Sequence, residues 1–551
     1  MNDSHDPSRR GFFGLPAWPW VALLLIVQTA LTAIWMRENG FLSRPPTIEQ
    51  AYYRARALDL LLVLQHDGVV AWAKACFTQA EFRTFLFPAA VSLAAAGSDV
   101  GVQPIHMAIT IAAFSLVFTL AAYRLARNFG SARFAWCVAA VTLCCPVVVA
   151  YQRPFYPQFP MKAFALLALD FLVRSRGFAC RRNSVAFAVA TAIATMCKVI
   201  APLYLAGAAL AAAFFGLRDR ARRASALRNL GVATVVVVVL LAPWQALAYP
   251  KLMTYTKSAT DDSIAMRQMA DKFSLERWSY YPRHLFANGF GAPLATLVAV
   301  AGLVTAARLR TKARDPRRRE AGLVLAASAA LCYPVLTYGQ TAAQSQYVLI
   351  YVPLGVLMLA RTIADTERAS PRKAAIAATA CSAAFGLVLV LRAPSRDVAG
   401  FSLGPIPIVQ RVDWFITDLP RQRFLIESST PESWPIREVT RAMLDHSTRP
   451  APRVATTHMY LCGPNLEHEA KLLGRSIEEV VPDWAAALRP GGDLSFLRSV
   501  DFLVIDSQDF AVDAAVSALA KLGIVATEIL RTSPAPGITI TLLALTAPTP
   551  R

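Results

Sequence analysis

The chain has 551 residues, 55% of them hydrophobic and only 17% charged, with a mean hydropathy of +0.42 and a formal net charge of +20. An ordinary soluble domain carries about a quarter of its residues as charges, so this composition excludes a conventional soluble globule. The Arg and Lys residues sit in short connectors between apolar runs, the footprint of a membrane bundle rather than of a nucleic-acid-binding surface. No nucleic-acid partner is expected.

Residues 1–17 form an N-terminal head with Arg9 and Arg10, read as cytoplasmic. The apolar run 18–35 follows. No small-x-small cleavage site succeeds it, and Met36-Arg37-Glu38 comes next, so it reads as a retained span rather than a signal peptide. Further apolar runs at 105–125, 134–151, 159–173, 185–199, 201–217, 230–249, 290–307, 321–338, 347–360 and 374–391 predict about eleven transmembrane helices within residues 18–392. Several runs are shorter than the roughly 20 residues that cross the hydrocarbon core, so their ends extend into the flanks.

Loop charge gives the orientation. The connectors 124–133, 174–183, 218–228, 308–320 and 361–373 are dense in Arg and Lys, whereas those near 152–158, 200 and 339–346 carry only Arg153. The positive-inside rule places the first set in the cytoplasm. The run 185–217 reads as two crossings, because a single one would put basic loops on opposite faces. Lys162, Asp170 and Lys198 are the few ionisable residues inside spans.

Two outer loops are long. Residues 37–104 hold aromatic and charged residues and then the apolar piece Phe85–Ala96, read as helices along the membrane surface. Residues 250–287 form the second. After Arg392 the composition changes. Segments 453–461, 502–505, 524–530 and 538–545 read as strands, and 435–444, 466–473 and 512–522 as helices. The expected fold is therefore an all-α polytopic membrane bundle with a C-terminal soluble α/β domain, residues 393–551, outside the cytoplasm. Cys76 and Cys462 both fall in outer segments, which admits a disulfide between them, although two free thiols is the simpler reading.

Chemistry on a lipid-linked substrate belongs at the interface, since ionised groups are costly in the core. In the first outer loop, Glu49 follows Pro45-Pro46 and precedes Tyr52-Tyr53. A carboxylate at such a turn can serve as general base on an acceptor, or be a solvated acid at a helix start. Asp67, beside Gly68, is the alternative acid. Arg153, Lys251 and Arg283 are candidates to hold a lipid phosphate. Arg153 and Arg283 are equally interfacial anchors. Asp261-Asp262 reads as a solvated loop. No ligand cluster points to a metal, and P-loop, GxSxG and HExxH motifs are missing from any usable context.

The order of one span, a long outer loop with an acid before Ala51-Tyr52-Tyr53, and a surface helix with Phe87-Pro88 resembles the C-type membrane glycosyltransferases. The nearest are the family 39 and aminoarabinose-transferase-like enzymes, related to protein O-mannosyltransferases. The similarity continues in Tyr123-Arg-Leu-Ala-Arg127-Asn-Phe-Gly130, in Tyr151-Gln-Arg-Pro-Phe-Tyr-Pro-Gln158, in Thr195-Met-Cys-Lys198, and in Gln346-Tyr347 with Pro353. It covers roughly residues 15–391. The resemblance implies a GT-C fold and an inverting transfer of a sugar from a polyprenyl-phosphate donor to an extracytoplasmic acceptor. It aligns Glu49 with the catalytic acid of the first outer loop. Such enzymes usually have Asp-Glu where this chain has Ile48-Glu49, and commonly an acid where it has Gln158. A diverged non-catalytic relative, a transporter or an assembly component is the competing reading.

Overall fold

A computed structural model of the chain describes residues 17–38, 48–78, 84–152, 156–266, 273–309, 316–339, 348–392, 401–403, 406–409, 434–456, 461–480, 495–506, 512–535 and 538–546. Every apolar run named above contains a helix. In chain order the helices are α1 (Ala17–Glu38), α2 (Ile48–Thr78), α3 (Leu86–Ala94), α4 (Pro104–Arg127), α5 (Ala132–Cys144), α6 (Pro146–Tyr151), α7 (Gln158–Ser175), α8 (Arg181–Cys197), α9 (Ala201–Arg218) and α10 (Arg223–Met266). Then come α11 (Leu275–His284), a short π-helix at Leu285–Phe290, α12 (Ala292–Leu309), α13 (Pro316–Gly339), α14 (Tyr351–Ala364) and α15 (Ala369–Arg392).

The breaks have local causes. Cys145 is extended (φ −67°, ψ 134°) between α5 and α6, because the ring of Pro146 disfavours helical geometry in the residue before it. Lys198 is extended (φ −160°, ψ 129°) after α8, and Pro202 opens α9, so the run 185–217 is two helices. Gly68 (φ 82°, ψ 179°) splits α2. The outer loop expected at 250–287 is helical as far as Met266. Residues 251–266 contain no further Gly or Pro, and α10 runs through Pro243 and Pro250, as membrane helices tolerate.

By length and composition, five helical segments among the described residues can cross a membrane: 50–78, 104–127, 201–218, 223–250 and 316–338. The first belongs to the stretch read from sequence as surface helices. The helix α7 lies at the centre of the bundle and is buried on almost every face, as expected of a helix apolar all round. Where α9 meets α13 the backbones nearly touch: a Cβ on Gly207 would lie 2.1 Å from the Ala327 carbonyl oxygen. Small residues permit this approach in membrane bundles.

After α15 come the short antiparallel pair β1 (Phe401–Leu403) and β2 (Ile406–Val409), then α16 (Ile436–His446), β3 (Arg453–Thr456), α17 (Gly463–Leu472) and β4 (Glu478–Glu479). The chain continues with β5 (Phe502–Asp506), α18 (Val512–Lys521), β6 (Val525–Ala535) and β7 (Ile538–Thr546). Five strands form one mixed sheet in the order β4-β3-β5-β7-β6. Alternation along β5 builds both faces. Phe502 and Val504 pack with Val439 and Leu466, while Leu503 and Ile505 pack with Leu519 and Ile524. The α/β character expected for this region is thus observed, and each strand and helix named for it has a counterpart, that expected over 453–461 being a strand at Arg453–Thr456 with 457–460 outside the described residues.

Candidate functional site

Glu49 is the second residue of α2, at the helix end where aligned peptide dipoles favour negative charge. From Gln50 onward one face of α2 is buried. Tyr53, Ala57, Leu58 and Leu61 join Phe87 and Val91 of α3 and Met107 and Ile111 of α4 in one cluster. Tyr53 meets Phe87 edge to face, with ring centroids 5.7 Å apart. Trp72, beyond the Gly68 break, donates to the Ser92 hydroxyl at 3.0 Å. The start of α2 is therefore held against the membrane helices by packing.

The other side of α2 is held by the C-terminal domain. Lys471 of α17 ion-pairs with Asp59 and reaches Glu467 at 2.6 Å. Asp59 also accepts from Arg56 at 3.0 Å. Arg54 is buried, and its Nε donates to the Val102 carbonyl at 2.7 Å. His468 is fully buried, with Nδ1 3.4 Å from Glu469 Oε1. Burial, reinforced by the charge of Arg54, pulls its imidazole down to about 4. Burial pushes the Glu469 carboxyl up, but His468 and Arg54 outweigh it and hold that group below its ordinary value. At Gly101 (φ 72°) an added Cβ would come within 2.9 Å of Leu472, so this loop passes close beneath α17. Cys462 caps the start of α17 as a buried free thiol, and Cys76 is free as well.

The remaining candidates separate. Asp67 is exposed and lies 18 residues after Glu49, about 27 Å along the helix at 1.5 Å per residue, so the two acids cannot share one site. Lys251 is in α10, one turn beyond Ala248 and two beyond Trp244, which pack with Phe77, Phe85 and Val199. Arg283 is in α11, which Arg277 ties to α13 by donating to the Thr337 carbonyl at 2.7 Å. Backbone placement thus sets Lys251 beside the C-terminal end of α2, around Phe77, and Arg283 beside α13, while Glu49 stands at the opposite end of α2. Arg153 and the side chains of those three lie outside the described residues. Asp261 and Asp262 fall within α10 rather than a loop.

Two polar groups on α7 differ sharply in their surroundings. The fully buried carboxylate of Asp170 accepts from Arg124 Nε at 3.0 Å, Arg174 Nε at 2.8 Å and Asn128 Nδ2 at 2.9 Å. Toward the α2 end, Gln158 and Lys162 are buried to 1% and 0% exposure. Among the described residues, neither amide atom of Gln158 nor the Lys162 Nζ has a hydrogen-bond partner. The ammonium lies 2.9 Å from the centroid of the Tyr204 ring. A desolvated ring contact contributes about 2 kcal/mol, short of the several kcal/mol that burying an ion costs even after relaxation. Lys162 was visible in sequence as an ionisable residue in a span. Its lack of a counter-charge was not, because that depends on what α8, α9, α13 and α14 bring beside it.

No family model matches the sequence, and no curated protein sequence matches it. Solved structures do. ArnT from Cupriavidus metallidurans bound to undecaprenyl phosphate superposes with a TM-score of 0.60 at 14% identity, over 95% of this chain and 98% of that one. The apo state of the same protein gives a TM-score of 0.59 at 13% identity, over 96% and 98%. The archaeal oligosaccharyltransferase AglB from Archaeoglobus fulgidus, in complex with an inhibitory peptide and a dolichol-phosphate, gives 0.54 at 10% identity, over 91% and 71%. The resemblance read from sequence and these superpositions agree, and the chain has the GT-C membrane fold.

Proposed function

We propose that this chain is a membrane glycosyltransferase that moves a sugar from a polyprenyl-phosphate donor to an extracytoplasmic acceptor, which is a lipid, a glycan or a protein. The observation that carries the reading is the end-to-end likeness, C-terminal domain included, to a structure bound to undecaprenyl phosphate. In this reading about eleven helices cross a bacterial inner membrane. The Arg-rich end around Arg124, Arg174 and Arg222 faces the cytoplasm, and residues 393–551 face the periplasm.

Glu49 acts as general base. It takes a proton from an acceptor hydroxyl or amine, the freed lone pair attacks the anomeric carbon, and the carbon–oxygen bond to the polyprenyl phosphate breaks with inversion. The departing phosphate takes the bond's electron pair and is held by Arg153, Lys251 and Arg283. No nucleotide sugar takes part.

The test is transfer of radiolabelled sugar from a polyprenyl-phosphate pool in membranes, comparing wild type with Glu49→Gln at equal expression. A general base contributes about 10² to 10⁴-fold, so the variant should leave almost no signal. Equal signal in both would remove Glu49 and move the search to Asp67. No signal in either, with a known transferase active in the same pool, would favour a non-catalytic relative.

A further inference from the structure

Gln158 and Lys162 stand one turn apart on one face of α7, at the end of the bundle where α2 begins. Both are essentially inaccessible to solvent, and Gln158 Oε1, Gln158 Nε2 and Lys162 Nζ have no partner among the described residues. Cys332 of α13 lies beside both Lys162 and the Tyr351 hydroxyl. Lys198, between α8 and α9, is close enough to repel the Lys162 charge. Among the described residues, no carboxylate is named as acting on this group. At Gln158 and Lys162 the cluster therefore offers an amine and an amide that no group among the described residues satisfies.

Most buried donors in folded proteins are satisfied, and an ionisable residue inside a span without a counter-charge marks a candidate binding place. The ligand must supply what is missing. A cation would be repelled by Lys162 and Lys198. A neutral sugar would leave the ammonium without a counter-charge. A group with several anionic oxygens would accept from the ammonium and the amide together, as charge-assisted hydrogen bonds do.

We propose that Gln158 and Lys162 form a subsite for an anionic oxygen group of the substrate, with Lys162 as its counter-charge and Gln158 as a second donor. The inference rests on the transferase reading only in naming the substrate: the group is either the donor phosphate or a carboxylate on the transferred sugar.

The test is binding to the full-length protein in detergent, with undecaprenyl phosphate and glucuronate as probes and glucose as neutral control. Wild type should bind one of the two anions at least tenfold more tightly than Lys162→Met. Gln158→Leu should weaken the same probe by a smaller factor, and Lys162→Arg should retain most of the affinity, which keeps the test valid if the Met variant fails to fold. Loss confined to undecaprenyl phosphate identifies the phosphate, and loss confined to glucuronate identifies a sugar carboxylate. Equal binding of both anions by wild type and Lys162→Met overturns the subsite, as does binding of neither by wild type. The radiolabel assay separates this from the transferase reading. Lys162-dependent anion binding without sugar transfer would refute the enzyme and keep the subsite. Transfer by Lys162→Met with unchanged kcat and KM would do the reverse.

Discussion

On α7, Asp170 and Lys162 are both fully buried and stand eight residues apart, about 12 Å along the axis. Asp170 meets two guanidiniums and an amide at 2.8–3.0 Å. Among the described residues Lys162 meets an aromatic ring and has no hydrogen-bond partner. Burial alone therefore does not tell a structural charge from a site. A charge whose partners come from the protein fastens helices together: Arg124 lies on α4 and Arg174 on α7 itself. A charge left without them is held ready for something that arrives later.

The two ends should respond to mutation with opposite signs. Asp170→Ala leaves Arg124 and Arg174 facing each other without their carboxylate. Removing one partner of a buried ion cluster costs roughly 3–5 kcal/mol. Because both arginines keep about a third of their surface exposed, we expect about 3 kcal/mol, read from unfolding of the purified protein. Acidification probes the contact between α17 and α2. His468 titrates at about 4 in the folded protein and near 6.5 when unfolded, so the unfolded chain binds the extra proton between those values. The stabilisation is complete above pH 6.5 and is lost as pH falls toward 4, by about 1.4 kcal/mol per unit. Urea titrations across this window should show that slope, and His468→Leu should flatten it.

Lys162→Met should go the other way. Replacing an unpaired buried ion by a side chain of similar volume is neutral or stabilising, by about 1 kcal/mol, so the unliganded variant should melt at or above the wild-type temperature. A large drop would mean that the Tyr204 contact is what the ammonium is there for. The smallest effect is expected from Lys471→Ala, about 0.5 kcal/mol for a partly exposed pair. It should speed hydrogen exchange in the first turns of α2 while leaving α7 protected. Equal acceleration in both helices would show that the C-terminal domain does not act on α2 selectively.

Sequence patterning carried the architecture further than the site. Each apolar run holds a helix, since hydrophobic length is a local property, and Lys198 with Pro202 marked the α8–α9 break. The four principal strands around Val454, Phe502, Val525 and Leu542 were equally legible from β-branched, alternating runs. The helical course of α10 past Pro250 was not, because charged residues after it resembled a loop. Glu49 was found where α2 starts, but the contacts that set α2 could not be read from sequence. Asp59 with Lys471 and Arg54 with Val102 are distant in the chain, and nothing local announces them. Gln158 was visible only as a departure from an expected acid. Its isolation, like that of Lys162, is a property of the assembled helices.

The pairing of Asp59 with Lys471 joins residues separated by 412 positions. During synthesis α2 emerges early, and α17 exists only after α1 to α15 have been made. Until then the flank of α2 around Asp59 lacks its contact with Lys471. Contacts of such long range form late, since chain closure must precede them. A nascent or truncated chain would therefore insert with α2 packed on one side only, and the order of translation itself would complete that packing last.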